Sequence, residues 1–343
     1  MTRRSEITID LGALRRNVRR LREAAGRAEV WTVVKADAYG HGALDAARAA
    51  LDAGAGALCV ATAHEGEAVR RALREPRVLV MGPLARGEER IAANARLEVA
   101  AVTPELPRGL PVHLKVDTGM GRWGMSPEEA LAAPRDDVVG VMSHLATADV
   151  PHEGFARTQI ERFAAVADRF PGVTRHVANS AATLRFPEAR FDAVRCGVAT
   201  YGLSPFGADP ADDGLEPVLS WRSYVAAVRT LAPGESTGYG RRFVAEEPTR
   251  IGLVPVGYAD GFRRGLTGTD VLVAGVRRPV LGTISMDSFA VDVGDAGPGA
   301  PVTLIGDGLR AEEHAARLGT INYELTSGIC SAPERADRRV VDG

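Results

Sequence analysis

The chain has 343 residues and a formal net charge of −2. That is too long for one small domain, and it lacks the basic excess of a nucleic-acid binder or a membrane-surface anchor. Its three cysteines, Cys59, Cys196 and Cys330, lack metal-type spacing and make no disulfide framework, so the expected setting is a reduced, cytoplasmic one with no metal.

The opening MTRRSEITIDLGALRR mixes charges with apolar positions and has no apolar core of a secretory signal. No stretch approaches the roughly 20 apolar residues of a membrane-spanning helix. From about Asp10 to Leu203, short β-branched runs alternate with amphipathic stretches. A helix is predicted over 13–25, with leucine and valine at helical spacing, and others over 66–73 and 158–170. Weaker helical links fall at 87–95 and 126–133. Strands are predicted at 30–34, 57–61, 78–81, 99–102, 112–116, 138–142, 173–177 and 193–195. Eight strands alternating with helices over roughly 200 residues read as a (β/α)8 TIM-type barrel. An open doubly wound sheet is the alternative, although the glycine fingerprint of a dinucleotide-binding sheet is missing. The segment 208–214 (ADPADDG) is the expected junction. Beyond it, strands at 219–231, 250–256, 270–273, 280–283, 289–293 and 301–305 are separated by Gly, Pro and Asp turns, with one helix at 311–318. This predicts a smaller, mainly β domain.

In such barrels chemistry gathers at the C-terminal ends of the strands. There the sequence places Lys35 followed by Tyr39, Gly40, His41 and Gly42, then Lys115 with Asp117 and Arg122, then Ser143 and His144, then His176, Asn179 and Ser180, and finally Arg195 and Gly197. A lysine in a dry barrel mouth has a lowered pKa suited to covalent chemistry with a carbonyl. Glycines at a strand-to-helix step let backbone N–H groups approach an anion. A buried arginine needs an acceptor, which a ring nitrogen or a structural carboxylate could supply. Alone, each has a plainer reading: a surface lysine, a turn, a helix N-cap, an ion pair. Their convergence at one barrel end carries more weight than any one of them.

Together these residues resemble the alanine racemase family. The segment 33–42 (VVKADAYGHG) is similar almost throughout to that family's signature around the lysine that binds pyridoxal phosphate (PLP). Further blocks follow in the family's order: 113–122 (HLKVDTGMGR), 143–149 (SHLATAD), 176–180 (HVANS), 194–198 (VRCGV), 201–205 (YGLSP), 238–240 (GYG), 256–261 (VGYADG) and 285–287 (SMD). The resemblance runs from about Ile7 to about Ala332. It implies a PLP-binding barrel over 11–214, a β domain built from 1–10 plus 215–343, and a homodimer whose subunits share active sites. By the same resemblance, Lys35 holds PLP and exchanges the substrate α-proton on one face, and Tyr239 of the other subunit serves the opposite face. Arg195 faces the pyridine nitrogen, with His144 and His176 supporting it and Tyr239. Tyr39, Asn179, Ser180, Gly197 and Val198 serve the cofactor, chiefly its phosphate. Arg122 contacts the substrate carboxylate, and Lys115, often carbamylated in this family, orients Arg122. Tyr258, Met286 and Asp287 close the substrate entrance.

The resemblance implies racemisation of alanine, supplying D-alanine for cell-wall peptidoglycan. Alternatives are a racemase of serine or another small amino acid, or a non-catalytic PLP- or inhibitor-binding self-resistance relative. A barrel-type PLP decarboxylase would set an acid, not Arg195, against the ring nitrogen. The sequence departs from the family's pattern at Ser331, where a phosphate-contacting tyrosine is usual, and at Ser285 and Trp123.

Overall fold

A computed structural model of the protein describes residues 4–343. It divides into two compact units. Gly12–Glu216 forms one, and the described residues up to Leu11 join Pro217–Gly343 in the other.

The strand β1 (Glu6–Asp10) belongs to the second unit. The first unit opens with helix α1 (Leu11–Ala25), which buries Leu14, Val18, Leu21 and Ala25 at helical spacing and leaves its arginines on the opposite side. Eight parallel strands follow: β2 (Glu29–Val33), β3 (Ala57–Val60), β4 (Arg77–Val80), β5 (Glu98–Ala101), β6 (Val112–Lys115), β7 (Val138–Met142), β8 (Thr174–His176) and β9 (Ala193–Cys196). They pair in chain order from β2 to β8, and β9 returns to pair with β2 through Trp31↔Arg195. The remaining gap is bridged by backbone bonds from Asp192 N to Arg175 O (3.1 Å) and from Arg195 N to Ala178 O (2.9 Å). An open doubly wound sheet would leave two free edges there. The barrel reading therefore stands over that alternative.

Helices α2 (Ala43–Asp52), α3 (Ala63–Ala72), α4 (Glu88–Asn94), α5 (Pro127–Ala132), α6 (Gly154–Ala167) and α7 (Ser180–Arg185) occupy the links. The two weak links are short helices, and α5, like α3, starts on a reciprocal capping box: Ser126 with Glu129, Thr62 with Glu65. The barrel interior packs Trp31, Val33, Ala57, Cys59, Leu79, Ala100, Met142 and Ala193 into one cluster. These come from six strands, as expected where alternate positions of each strand point inward.

In the second unit nine strands form one sheet in the order β11-β14-β17-β16-β15-β18-β10-β1-β19. These are β10 (Leu219–Tyr224), β11 (Ala227–Leu231), β14 (Thr249–Val254), β15 (Asp270–Val273), β16 (Val276–Leu281), β17 (Phe289–Asp292), β18 (Pro301–Ile305) and β19 (Asp337–Val341). A two-stranded ribbon joins β12 (Ser236–Thr237) to β13 (Phe243–Val244). β1 alternates buried Ile7 and Ile9 with half-buried neighbours. It pairs antiparallel with β10 (Ile7↔Trp221) and parallel with β19 (Ile9↔Val340). The run 219–231, read as one strand, is two strands that pair with different neighbours and part at Val225–Ala226. The strand expected from Val280 starts at Val276, because Ala274 (φ 50°) and Gly275 (φ 81°) make a two-residue hairpin that pairs Val273 with Val276.

Candidate active site

Lys35 stands two residues beyond the end of β2, half-buried, and burial lowers its pKa. Arg122 and Arg195 lower it further, while Glu65 opposes them. An amine in this setting holds its proton weakly, as nucleophilic attack on a carbonyl requires. The next four residues, Ala36 to Tyr39, all adopt left-handed backbone angles, with φ between 50° and 57°. The turn is pinned from outside. Glu65 accepts from Ala36 N (2.8 Å), Ala61 N (2.7 Å) and Thr62 N (3.2 Å), so one carboxylate joins the ends of β2 and β3. His41 Nδ1 lies 3.0 Å from both Ala38 O and Tyr39 O, and therefore donates there.

The turn brings Tyr39 across the end of β9. A Cβ built on Gly197 would fall 2.4 Å from the Tyr39 hydroxyl oxygen, so only glycine lets the ring approach this closely. Gly197 N and Ala199 N both donate to Ser180 Oγ, at 3.0 and 3.3 Å. Asn179 caps α7 by accepting from Ala182 N (2.9 Å). Val198 is buried beside this step. A hydroxyl, a phenol and a run of backbone N–H groups thus gather over a glycine step, a donor set suited to phosphate oxygens.

Arg195 is buried, and its acceptors are imidazoles and carbonyls rather than a carboxylate. Nη1 donates to His176 Nδ1 (2.6 Å) and His176 O (2.9 Å), while Nη2 donates to Ser143 O (2.6 Å), Val177 O (3.3 Å) and His144 Nδ1 (3.4 Å). Burial lowers the guanidinium pKa to about 10. Burial and the Arg195 charge hold His144 and His176 well below the usual histidine range, so both rings are neutral.

Lys115 is also buried. Burial, then Arg195, Arg122 and Lys35, lower it to about 8. Asp117, two residues on, accepts from the N–H groups of Gly119, Met120 and Gly121 and so shapes the loop that carries exposed Arg122 and Trp123. Two lysines and two arginines therefore share one barrel end, a positive field suited to a carboxylate and a phosphate.

Four sequence-predicted residues belong to the second unit: Tyr239, Tyr258, Met286 and Asp287. The first three are exposed hydrophobics, Tyr239 at 69 %. The Tyr239 carbonyl accepts from Thr283 Oγ1 (2.7 Å). Asp287 is held by Arg335 (2.7 Å), which also binds the buried Asp260. Gly257 lies against Ser285 O and Met286 O, where an added Cβ would come within 2.3 and 2.4 Å, so the segments around Tyr258 and Met286 are tightly joined. Ser285 O accepts from Tyr258 N (3.1 Å), and Ser331 is half-buried. The sequence alone marks no role for Glu65, Glu98 or His113. Glu65 had one usable signal, its place three residues after Thr62 in a capping box. Among the described residues no cluster of His, Cys, Asp or Glu suits a metal ion, and no helix is long and apolar enough to cross a membrane.

The family model described as "Alanine racemase, N-terminal domain" matches residues 9–205, and "Alanine racemase, C-terminal domain" matches 218–339. The chain is 40 % identical to an alanine racemase of Halorhodospira halophila, over 100 % of this chain and 99 % of the relative. It superposes with a TM-score of 0.92 on the crystal structure of alanine racemase from D-cycloserine-producing Streptomyces lavendulae, at 37 % identity, covering 100 % and 98 % of the two chains. The alanine racemase structure from Bartonella henselae with covalently bound pyridoxal phosphate gives 0.90 at 27 % identity, covering 99 % and 100 %.

Proposed function

The chain belongs to the alanine racemase family, and from that membership we propose that it interconverts L-alanine and D-alanine, with Lys35 working on one face of the substrate and the partner subunit's Tyr239 on the other. The family is PLP-dependent, and PLP, when bound, supplies the electron sink that acidifies the substrate Cα–H. The residues present fit this group. Lys35 would hold it by a covalent link, and Arg195 would donate to its ring nitrogen. His144 would lie beside the ring, while Tyr39, Asn179, Ser180, Gly197 and Val198 would hold the phosphate. The observation that carries the reading is the set of groups at one barrel end: a half-buried amine of lowered pKa, a buried arginine without a carboxylate partner, and a glycine step beneath a phenol.

Arg195 keeps its own proton, so a ring nitrogen facing it would stay unprotonated. That weakens the sink and limits side reactions. Lys35 and Tyr239 exchange the Cα proton from opposed faces, the arrangement that inversion requires. Arg122 binds the substrate carboxylate through its planar fork. Lys115, with a pKa of about 8, is partly neutral near physiological pH and able to take up carbon dioxide. The resulting carbamate would be an anion that orients Arg122. His176 supports Arg195, and Tyr258, Met286 and Asp287 narrow the entrance from the partner subunit of a homodimer. The enzyme would work in the cytoplasm, and its product would supply cell-wall peptidoglycan.

Inversion of L- and D-alanine, followed by circular dichroism across a panel of amino-acid enantiomers, tests the activity; no inversion of alanine by the PLP-loaded protein would sink it. Lys35→Ala should abolish the absorbance band of linked PLP. Tyr239→Phe should slow solvent deuterium entry from one alanine enantiomer far more than from the other, with PLP binding retained.

A further inference from the structure

One chain of hydrogen bonds crosses the barrel interior from Arg195 on β9 to Glu98 on β5. Arg195 Nη1 meets His176 Nδ1 at 2.6 Å, His176 Nε2 meets His113 Nδ1 at 2.8 Å, and His113 Nε2 meets Glu98 Oε2 at 2.9 Å. Arg77 closes the far end on Glu98 at 2.8 and 3.1 Å.

Every proton in this chain can be placed. Burial opposes ionisation of Glu98, but hydrogen bonds from His113 and Arg77 outweigh it and hold the carboxyl at about 2. A carboxylate only accepts, so His113 Nε2 carries a proton. His113 is fully buried, and burial lowers its pKa despite Glu98, leaving Nδ1 bare. A bare Nδ1 must accept, so His176 Nε2 carries a proton. His176 is neutral, so its Nδ1 is bare and accepts from Arg195.

We infer that Glu98 and His113 are positioning residues for Arg195: the carboxylate at the far end selects one tautomer in each histidine and so presents the guanidinium with an acceptor instead of a second donor. In the opposite tautomer of His176, an N–H would face the Arg195 N–H at 2.6 Å, and the guanidinium would be displaced from its seat. The surroundings are built for the relay. The Trp31 ring packs on His176 (centroids 4.7 Å apart) and His113 (5.8 Å), and the Arg77 guanidinium lies 4.9 Å over Trp31. On β7 only glycine leaves room, since a Cβ on Gly140 would fall 2.0 Å from His113 Nδ1, on the nitrogen that receives the His176 proton.

The functional meaning rests on the proposed placement of Arg195 against the PLP ring, but the first measurement does not. In the holoenzyme labelled with 15N-histidine, His113 and His176 should both read as neutral rings protonated at Nε2 throughout about pH 6 to 9. An imidazolium or the opposite tautomer in either ring would overturn the inference. Glu98→Met removes the terminal acceptor and should move His176 off the Nε2–H form and lower kcat about tenfold, with KM changed less than about twofold. Glu98→Gln keeps an oxygen for His113 and Arg77 and should restore both readouts to within about threefold of the parent. An unmoved His176 signal in Glu98→Met, or equal loss of kcat in the two variants with both tautomers intact, would reduce Glu98 to an ordinary ion-pair partner. Should Glu98→Met not fold, the parent spectrum and Glu98→Gln decide the matter. A parent that shows the expected spectrum yet inverts no alanine would instead refute the proposed function alone.

Discussion

Lys35 is followed by four residues in a backbone region that costs non-glycine residues about 1–2 kcal/mol each. Glu65 is the compensating group, since its carboxylate takes three backbone N–H groups from the two strand ends. Glu65→Ala should therefore lower stability by roughly 2 kcal/mol or more and weaken PLP retention, read by denaturant melts and by dialysis against PLP-free buffer. Lys115 gives a second residue-scale prediction. Its folded pKa, about 8, lies below the 10.5 of a solvated lysine, so the unfolded chain binds more protons between those values and folding gains as pH rises through that window. Below about pH 8 the full burial penalty of the charged amine remains. In bicarbonate-free buffer, Lys115→Met should be more stable than the parent at pH 7, with the gap closing toward pH 10; a constant gap would contradict the burial argument. Lys35 and Arg195 stand out in the sequence because a cation closing an apolar strand is chemically conspicuous. Glu65 shows only as a capping residue and Glu98 not at all, because Ala36 N beside the first, and His113 and Arg77 beside the second, come near only in the closed barrel.

At the scale of elements, β-branched runs locate the barrel strands, and β7 falls at the residues expected. The left-handed turn after β2 has no such signal. It depends on Glu65, 30 residues beyond Lys35, and not on glycine. The strand β19 (DRRVV) is charged and reads as loop, yet it pairs along the whole of β1. Here the neighbour's unpaired backbone dictates the strand, overriding a weak propensity. The short helix Asn322–Ser327 is likewise too brief for a periodic signal. Gly140→Ala tests element packing directly, because β6 and β7 cannot separate to admit a methyl group without breaking their ladder. It should cost about 1–3 kcal/mol in thermal or denaturant melts and disturb the His113–His176 contact seen by NMR.

Across the whole molecule, the second unit is assembled from both ends of the chain. Asp260, 1 % exposed, accepts from Arg4, from Arg335 and from Gly257 N, so one carboxylate fastens both termini to the segment carrying Tyr258. Asp260→Ala removes the acceptor of all three hydrogen bonds but leaves Arg4 and Arg335 half-exposed to water, and should cost about 1–3 kcal/mol. Native-state proteolysis should then release the β unit's fragments before those of Gly12–Glu216. Simultaneous cleavage of both units would mean that they unfold as one. The resemblance to a known family suggested that the first ten residues join the β domain; nothing in their own composition does, since β1 ends where α1 begins without a break.

The position of β1 between β10 and β19 also has a temporal side. On the ribosome Ile7 emerges more than 200 residues ahead of Trp221, its mate across the ladder, and at about 5–20 residues per second it waits roughly ten to forty seconds with its apolar side chains uncovered. All eight barrel strands are synthesised within that interval, so β1, made before them, is sheltered only after they have been made. A nascent chain stalled before Leu219 would hold all eight barrel strands beside a β1 still lacking its β10 mate, the form in which a chaperone at the ribosome has most to do.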